Sequence, residues 1–104
     1  GSETILLFTV RASNDAHVAL YKDPIGNNPS RLPKDSYEIV LGGWGNGRSA
    51  IRVGPGDNKK SFPYTKGIVS KDEYRQFYIV VDTNKKEVRV GKGHDTTKYE
   101  FMKV

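Results

Sequence analysis

Nearly every apolar segment of this chain alternates with period two, and none carries an apolar stripe at helical spacing. A segment that alternates this way buries one face only as a β-strand, so the pattern restricts the chain to an all-β fold. DAHVALYK sets Ala16, Val18 and Leu20 on one face and Asp15, His17 and Tyr21 on the other. SYEIVLGG groups Tyr37, Ile39 and Leu41 opposite Glu38 and Val40. RSAIRVG turns Ser49, Ile51 and Val53 inward and Arg48, Ala50 and Arg52 outward, and KEVRVGK alternates through Val88 and Val90. ETILLFTVRA is a β-branched and aromatic run, and KYEFMKV closes the chain. RQFYIVVD is apolar on both faces, as a covered central strand should be. A weaker strand is expected around Phe62 to Val69, where Pro63 and Gly67 interrupt the run.

The separators ASN, GWGNG, DTNKK and GKGHDTT are short and hairpin-like. The longer DPIGNNPSRLPKD and GPGDNKK are dense in proline, glycine and asparagine, the composition of surface turns and loops. Roughly seven or eight strands joined this way predict two antiparallel sheets packed face to face and connected largely up and down. The 104 residues suit one domain over 1–104, whose core hides roughly two-thirds of the unfolded surface. There is no internal repeat, and no linker marks a second domain. Gly1-Ser2 has the look of a cleavage scar.

Composition removes several classes of function. The chain has no cysteine, so no disulfide and no thiol nucleophile. No stretch approaches the ~20 apolar residues of a membrane span, and no signal-peptide pattern is visible. The near-sequon Asn28-Pro29-Ser30 is blocked by its proline. Seventeen Lys and Arg against twelve Asp and Glu give a net charge of +5. These cations are scattered from Arg11 to Lys103, with adjacent pairs only at Lys59-Lys60 and Lys85-Lys86. Specific nucleic-acid binding is not expected from such a distribution. Catalysis is not expected either. The serines lack a nucleophile elbow, and His17 and His94 lack metal-ligand spacing, so neither a metal nor another cofactor is implied.

GGWGNGRS, residues 42–49, surrounds the only tryptophan with glycines. Asn46-Gly47 fits a type I′ turn, whose central residues need positive φ. A turn does not need an indole, however. Trp44 either folds inward to plug the core or is held outward to touch a ligand. A glycine-rich phosphate loop is a poor alternative, because such loops open onto a helix and here a strand follows.

The outward faces assemble a constellation if the second and fourth strands share a sheet. Asp15 and His17 lie on one, Arg48 and Arg52 on the other, and Trp44 and Asn46 on the loop between. Carboxylate, imidazole, amide and guanidinium groups pair with sugar hydroxyls, which donate and accept together. An indole takes the C–H face of a pyranose, and Gly43 beside it lets the backbone approach. Each residue also has a structural reading: Asp15 in a turn, His17 as a hydrogen-bonder, Arg48 on a solvated strand face.

FTVRASNDAHVAL (8–20), YEIVLGGWGNGRSAIR (37–52) and YIVVDTNKKEVRVGKG (78–93) resemble the module labelled farnesoic acid O-methyltransferase domain, across nearly the whole chain. The resemblance implies a legume-lectin-like or galectin-like sandwich, carbohydrate binding, cell agglutination and an extracellular location. Its Asp-Ala-His block falls on residues 15–17 and its Gly-Gly-Trp-Gly-Asn block on 42–46, followed by Arg48. The label itself suits an all-β chain poorly, for there is no doubly wound sheet and no recognisable cofactor cleft. The expectation is therefore a non-catalytic lectin for glycans of cell-surface glycoproteins, independent of metal, without membrane insertion. Asp15, His17, Gly43, Trp44, Asn46 and Arg48 are its expected sugar contacts. A weak homodimer would give the valency that agglutination needs. The other reading is a protein-interaction module using the same loop or a sheet edge.

Overall fold

The computed structural model describes residues 3–21, 36–54 and 58–104. The expected scar at Gly1-Ser2, the blocked sequon, the whole loop DPIGNNPSRLPKD and the middle of GPGDNKK lie outside those residues. Eight strands are present among the described residues: β1 (Glu3–Val10), β2 (Ala16–Leu20), β3 (Tyr37–Gly42), β4 (Arg48–Val53), β5 (Lys59–Ser61), β6 (Arg75–Asp82), β7 (Glu87–Lys92) and β8 (Glu100–Lys103). They form two four-stranded antiparallel sheets, ordered β1-β6-β7-β8 and β2-β3-β4-β5. Sequence neighbours pair within each sheet except that β1 pairs with β6, because the chain changes sheet after β1 and again after β5. This is the sandwich that the alternation requires.

The inward faces meet in a core of Ile39, Leu41, Ile51, Ile68, Val69, Phe77, Ile79, Val88, Val90 and Met102. Phe8 stacks on Phe77 at 5.9 Å, and Phe101 meets Phe77 edge-on, tying β1, β6 and β8 together. β6 is central and covered on both faces. Phe77 and Ile79 enter the core, whereas Tyr78 and Val80 are buried on the opposite side. Tyr78 lies over Gly91 of β7, where any Cβ would collide with its ring, and its hydroxyl donates to the Lys98 carbonyl at 2.9 Å. The Lys98 carbonyl thereby ties the segment after β7 to the outer face of the first sheet at Tyr78.

Two expectations are corrected. The strand expected at Phe62 to Val69 lies earlier, at Lys59–Ser61, and beyond it only a single bridge joins Tyr64 to Arg48. Pro63 has no N–H to give a ladder, and Gly67 turns the chain at φ 74°, which sends Ile68 and Val69 into the core. The expected type I′ turn at Asn46-Gly47 is absent. Gly47 has φ −109°, and the positive φ values fall at Trp44 (52°), Gly45 (71°) and Asn46 (61°). One left-handed helical turn, closed by Gly47 N–H donating to the Gly43 carbonyl at 3.0 Å, therefore joins β3 to β4. Left-handed backbone costs an L-residue roughly 1–2 kcal/mol, so two such residues need support from elsewhere in the fold.

Candidate functional site

That support comes from the core. Asn46 Nδ2 donates to the Val69 carbonyl at 2.8 Å, and Val69 N–H donates to Asn46 Oδ1 at 3.2 Å. The Asn46 carbonyl is held as well, accepting from Gly67 N–H at 2.9 Å. The clasp fixes the turn, and the turn projects Trp44 outward, leaving it 47% exposed. The indole rests edge-on against Phe62 at 4.7 Å, with the Arg52 guanidinium 5.6 Å from its centroid. Of the two readings of GGWGNGRS, the core plug is excluded by this exposure.

β2 and β4 lie in one sheet with β3 between them. On its outer face, His17, Val40 and Ala50 sit opposite one another in one row, and Ala19, Glu38, Arg52 and Lys59 in the next. Asp15, immediately before β2, is brought to the end of the sheet where the Trp44 turn lies. Asp15, His17, Val40, Gly43, Trp44 and Arg52 line a shallow cleft of about 340 Å³, at the small end of the ~300–1,000 Å³ range of ligand pockets. Val40 and Gly43 form its buried floor. A Cβ on Gly43 would sit 3.0 Å from Val40 Cγ1, so the floor depends on that glycine.

The polar wall is one connected network. His17 Nε2 lies 3.0 Å from Asp15 Oδ2, and Nδ1 lies 3.1 Å from Glu38 Oε2. Glu38 in turn meets Arg52 Nη1 at 3.4 Å. Partial burial alone would lower the imidazole pKa, but the hydrogen bonds and charges of Asp15 and Glu38 outweigh it and raise the pKa above 6.5. A protonated His17 donates from both ring nitrogens, one to each carboxylate, and so fixes Asp15 at the rim.

The structure brings Asp15, His17, Gly43 and Trp44 together. It directs the other two expected contacts elsewhere. The Asn46 amide is occupied by Val69. The Arg48 guanidinium is sandwiched between the rings of Phe62 and Tyr64, at 3.7 and 4.1 Å, and donates to the Phe62 carbonyl at 2.6 Å. Arg48 is thus a strut behind the Trp44 platform rather than part of the cleft wall. Arg52 and Glu38 are the residues that the expected contact set omitted, although their outward parity in RSAIRVG and SYEIVLGG was the available signal. Phe62 carried none, because its neighbours Pro63 and Gly67 hid where its ring would fall. Among the described residues, no group of three or more His, Asp or Glu side chains is placed to hold a metal ion. No helix of the described residues is long and apolar enough to cross a membrane.

The family model described as "Farnesoic acid 0-methyl transferase" matches residues 1–104. The chain belongs to this family. No curated protein matches the chain, and no solved structure does. The family's description names a transferase, whereas the architecture that carries its sequence here is a pair of antiparallel sheets.

Proposed function

We propose that this member of the family is a non-catalytic lectin, holding a neutral sugar in the Trp44 cleft. One observation carries the reading: an exposed indole faces a wall that alternates acceptor and donor, Asp15, His17 and Arg52, above a glycine-lined floor. A pyranose presents that same pairing of an apolar face and a rim of hydroxyls. Asp15 engages His17 through Oδ2, which leaves Oδ1 to accept from a hydroxyl, and Arg52 supplies N–H donors on the opposite side. The Asp-Ala-His and Gly-Gly-Trp-Gly-Asn blocks also resemble those of the small Physarum slime-mould hemagglutinin, which supports an extracellular agglutinin acting on cell-surface glycoproteins. Recognition needs no divalent ion in this account, because the two carboxylates at the cleft are both paired with His17.

A glycan array with the wild type and Asp15→Asn tests the proposal. Expected is binding to a set of neutral glycans that persists in excess chelator and is lost in the variant. A blank array overturns the lectin reading, and loss in chelator that calcium restores overturns the metal-free site. The alternative, a protein-interaction module, is favoured by one feature: β1 is an edge strand whose Ile5 and Leu7 are half exposed. Under that reading the array is blank.

A further inference from the structure

A second cleft, of about 770 Å³, opens at the same end of the sandwich, where the 64–68 segment passes the ends of β1, β6 and β7. Its chemistry differs from that of the Trp44 cleft. Lys66, Arg75 and Lys92 line it, together with Gln76 and the exposed rings of Tyr64 and Tyr74, and no carboxylate is among its lining residues. Arg11 adds a fourth cation at the rim, 5.0 Å from the Tyr74 ring. The one carboxylate engaged there, Glu73, lies 2.6 Å from Arg75 Nε. Arg75 also donates through Nη1 to the Gly67 carbonyl at 3.1 Å, which holds its guanidinium at the cleft. Lys66 and Lys92 form no ion pair with a carboxylate among the described residues.

We propose that this cleft is a second binding site, for an acidic saccharide bearing sulfate or carboxylate groups. The cations Lys66, Lys92 and Arg75 meet the anionic groups, and Tyr64 and Tyr74 give rings for the sugar faces. An acidic sugar is disfavoured at the Trp44 cleft, where Asp15 and Glu38 stand, and favoured here, where excess positive charge is unbalanced. The two clefts are joined by a continuous stack. Trp44 leans on Phe62, Phe62 on Arg48, and Arg48 on Tyr64. One chain thereby offers two saccharide sites of opposite character, which supplies valency for cross-linking without a dimer. The acidic site stands on its own residues and does not depend on the lectin reading of the Trp44 cleft.

The test is calorimetric titration of a sulfated hexasaccharide of heparin type into the wild type at near-physiological salt, where diffuse surface attraction is screened. Two double variants are compared, Lys66→Gln/Lys92→Gln in the cleft and Lys85→Gln/Lys86→Gln in the distant β6–β7 turn. Expected is saturable binding that falls roughly tenfold or more in the cleft variant, the scale of one lost charge-assisted hydrogen bond. The turn variant should bind as the wild type does. Absence of binding overturns the proposal. Equal losses in both variants overturn it as well, because net charge alone would then be responsible. Single-stranded DNA of matched charge binding as tightly as the hexasaccharide would assign the cleft to polyanions in general and overturn the saccharide assignment.

Discussion

Asn46 clasps Val69 by both edges of its amide, donating to the carbonyl at 2.8 Å and accepting from the N–H at 3.2 Å. The pair is 23 residues apart in sequence, and it couples the turn that presents Trp44 to a residue of the core. Asn46→Ala should therefore act on stability. Two hydrogen bonds of roughly 0.5–1.5 kcal/mol each are lost, and alanine at φ 61° adds about 1 kcal/mol of strain. A total near 2–4 kcal/mol is expected from denaturant unfolding. Asn46→Gly loses the same bonds without the strain and should fall about 1 kcal/mol short of that cost. Equal costs for the two variants would mean that the left-handed turn relaxes when the clasp is cut.

The His17 network gives a pH dependence of definite sign. Its folded pKa is raised above 6.5, so the folded state holds the proton more tightly than the unfolded chain. The resulting stabilisation is complete below about pH 6.5, the unfolded value. It is lost as pH rises through the folded value. With the side chain 40% exposed, solvent screens the effect and the change should be small. Melting curves of wild type and His17→Gln between pH 5.5 and 8.5 should converge as pH rises. A difference that stays constant with pH would show that the imidazole contributes through packing alone.

Arg48→Lys should reduce stability by about 1–2 kcal/mol. An ammonium cannot lie flat between two rings while donating to the Phe62 carbonyl as the guanidinium does. Affinity for a neutral glycan, measured on the folded protein, should change only slightly. A tenfold loss of affinity with an unchanged melting curve would put the guanidinium on the sugar after all.

The sandwich was legible in the sequence because alternation is local. Each strand's inward face is written in five or six consecutive residues, and Ile39, Ile51 and Val90 fall where their parity puts them. The outer-face cluster was legible for the same reason, down to Glu38 and Arg52, whose parity is correct. What was not legible depends on distant partners. Asn46-Gly47 reads as a two-residue hairpin turn by local preference, and it is the distant Val69 and Gly67 that hold the left-handed helical turn found instead. Arg48 has the parity of a ligand contact, but Phe62 and Tyr64 capture it from an irregular segment with no period to read. The side chains that the sequence assigned to a ligand and the fold recruited as struts are those whose partners lie outside regular strands.

Trp44 provides the sharpest separation of support from recognition. The ring is 47% exposed and touches Phe62 on one edge, so its removal opens no core cavity. A core tryptophan replaced by alanine would cost roughly 3–5 kcal/mol, whereas Trp44→Ala should cost under about 1.5 kcal/mol, the scale of one aromatic pair. Alanine still carries the left-handed penalty at φ 52°. Trp44→Gly removes it, so the glycine variant should be more stable than the alanine variant and close to wild type. Both variants should lose glycan affinity by about tenfold or more, equivalent to roughly 1.4 kcal/mol, because neither offers a ring to the sugar. Thermal melts and binding isotherms on the same samples make the comparison. If the glycine variant keeps both its stability and its affinity, the indole is not the sugar platform, and recognition must rest on the Asp15, His17 and Arg52 wall alone.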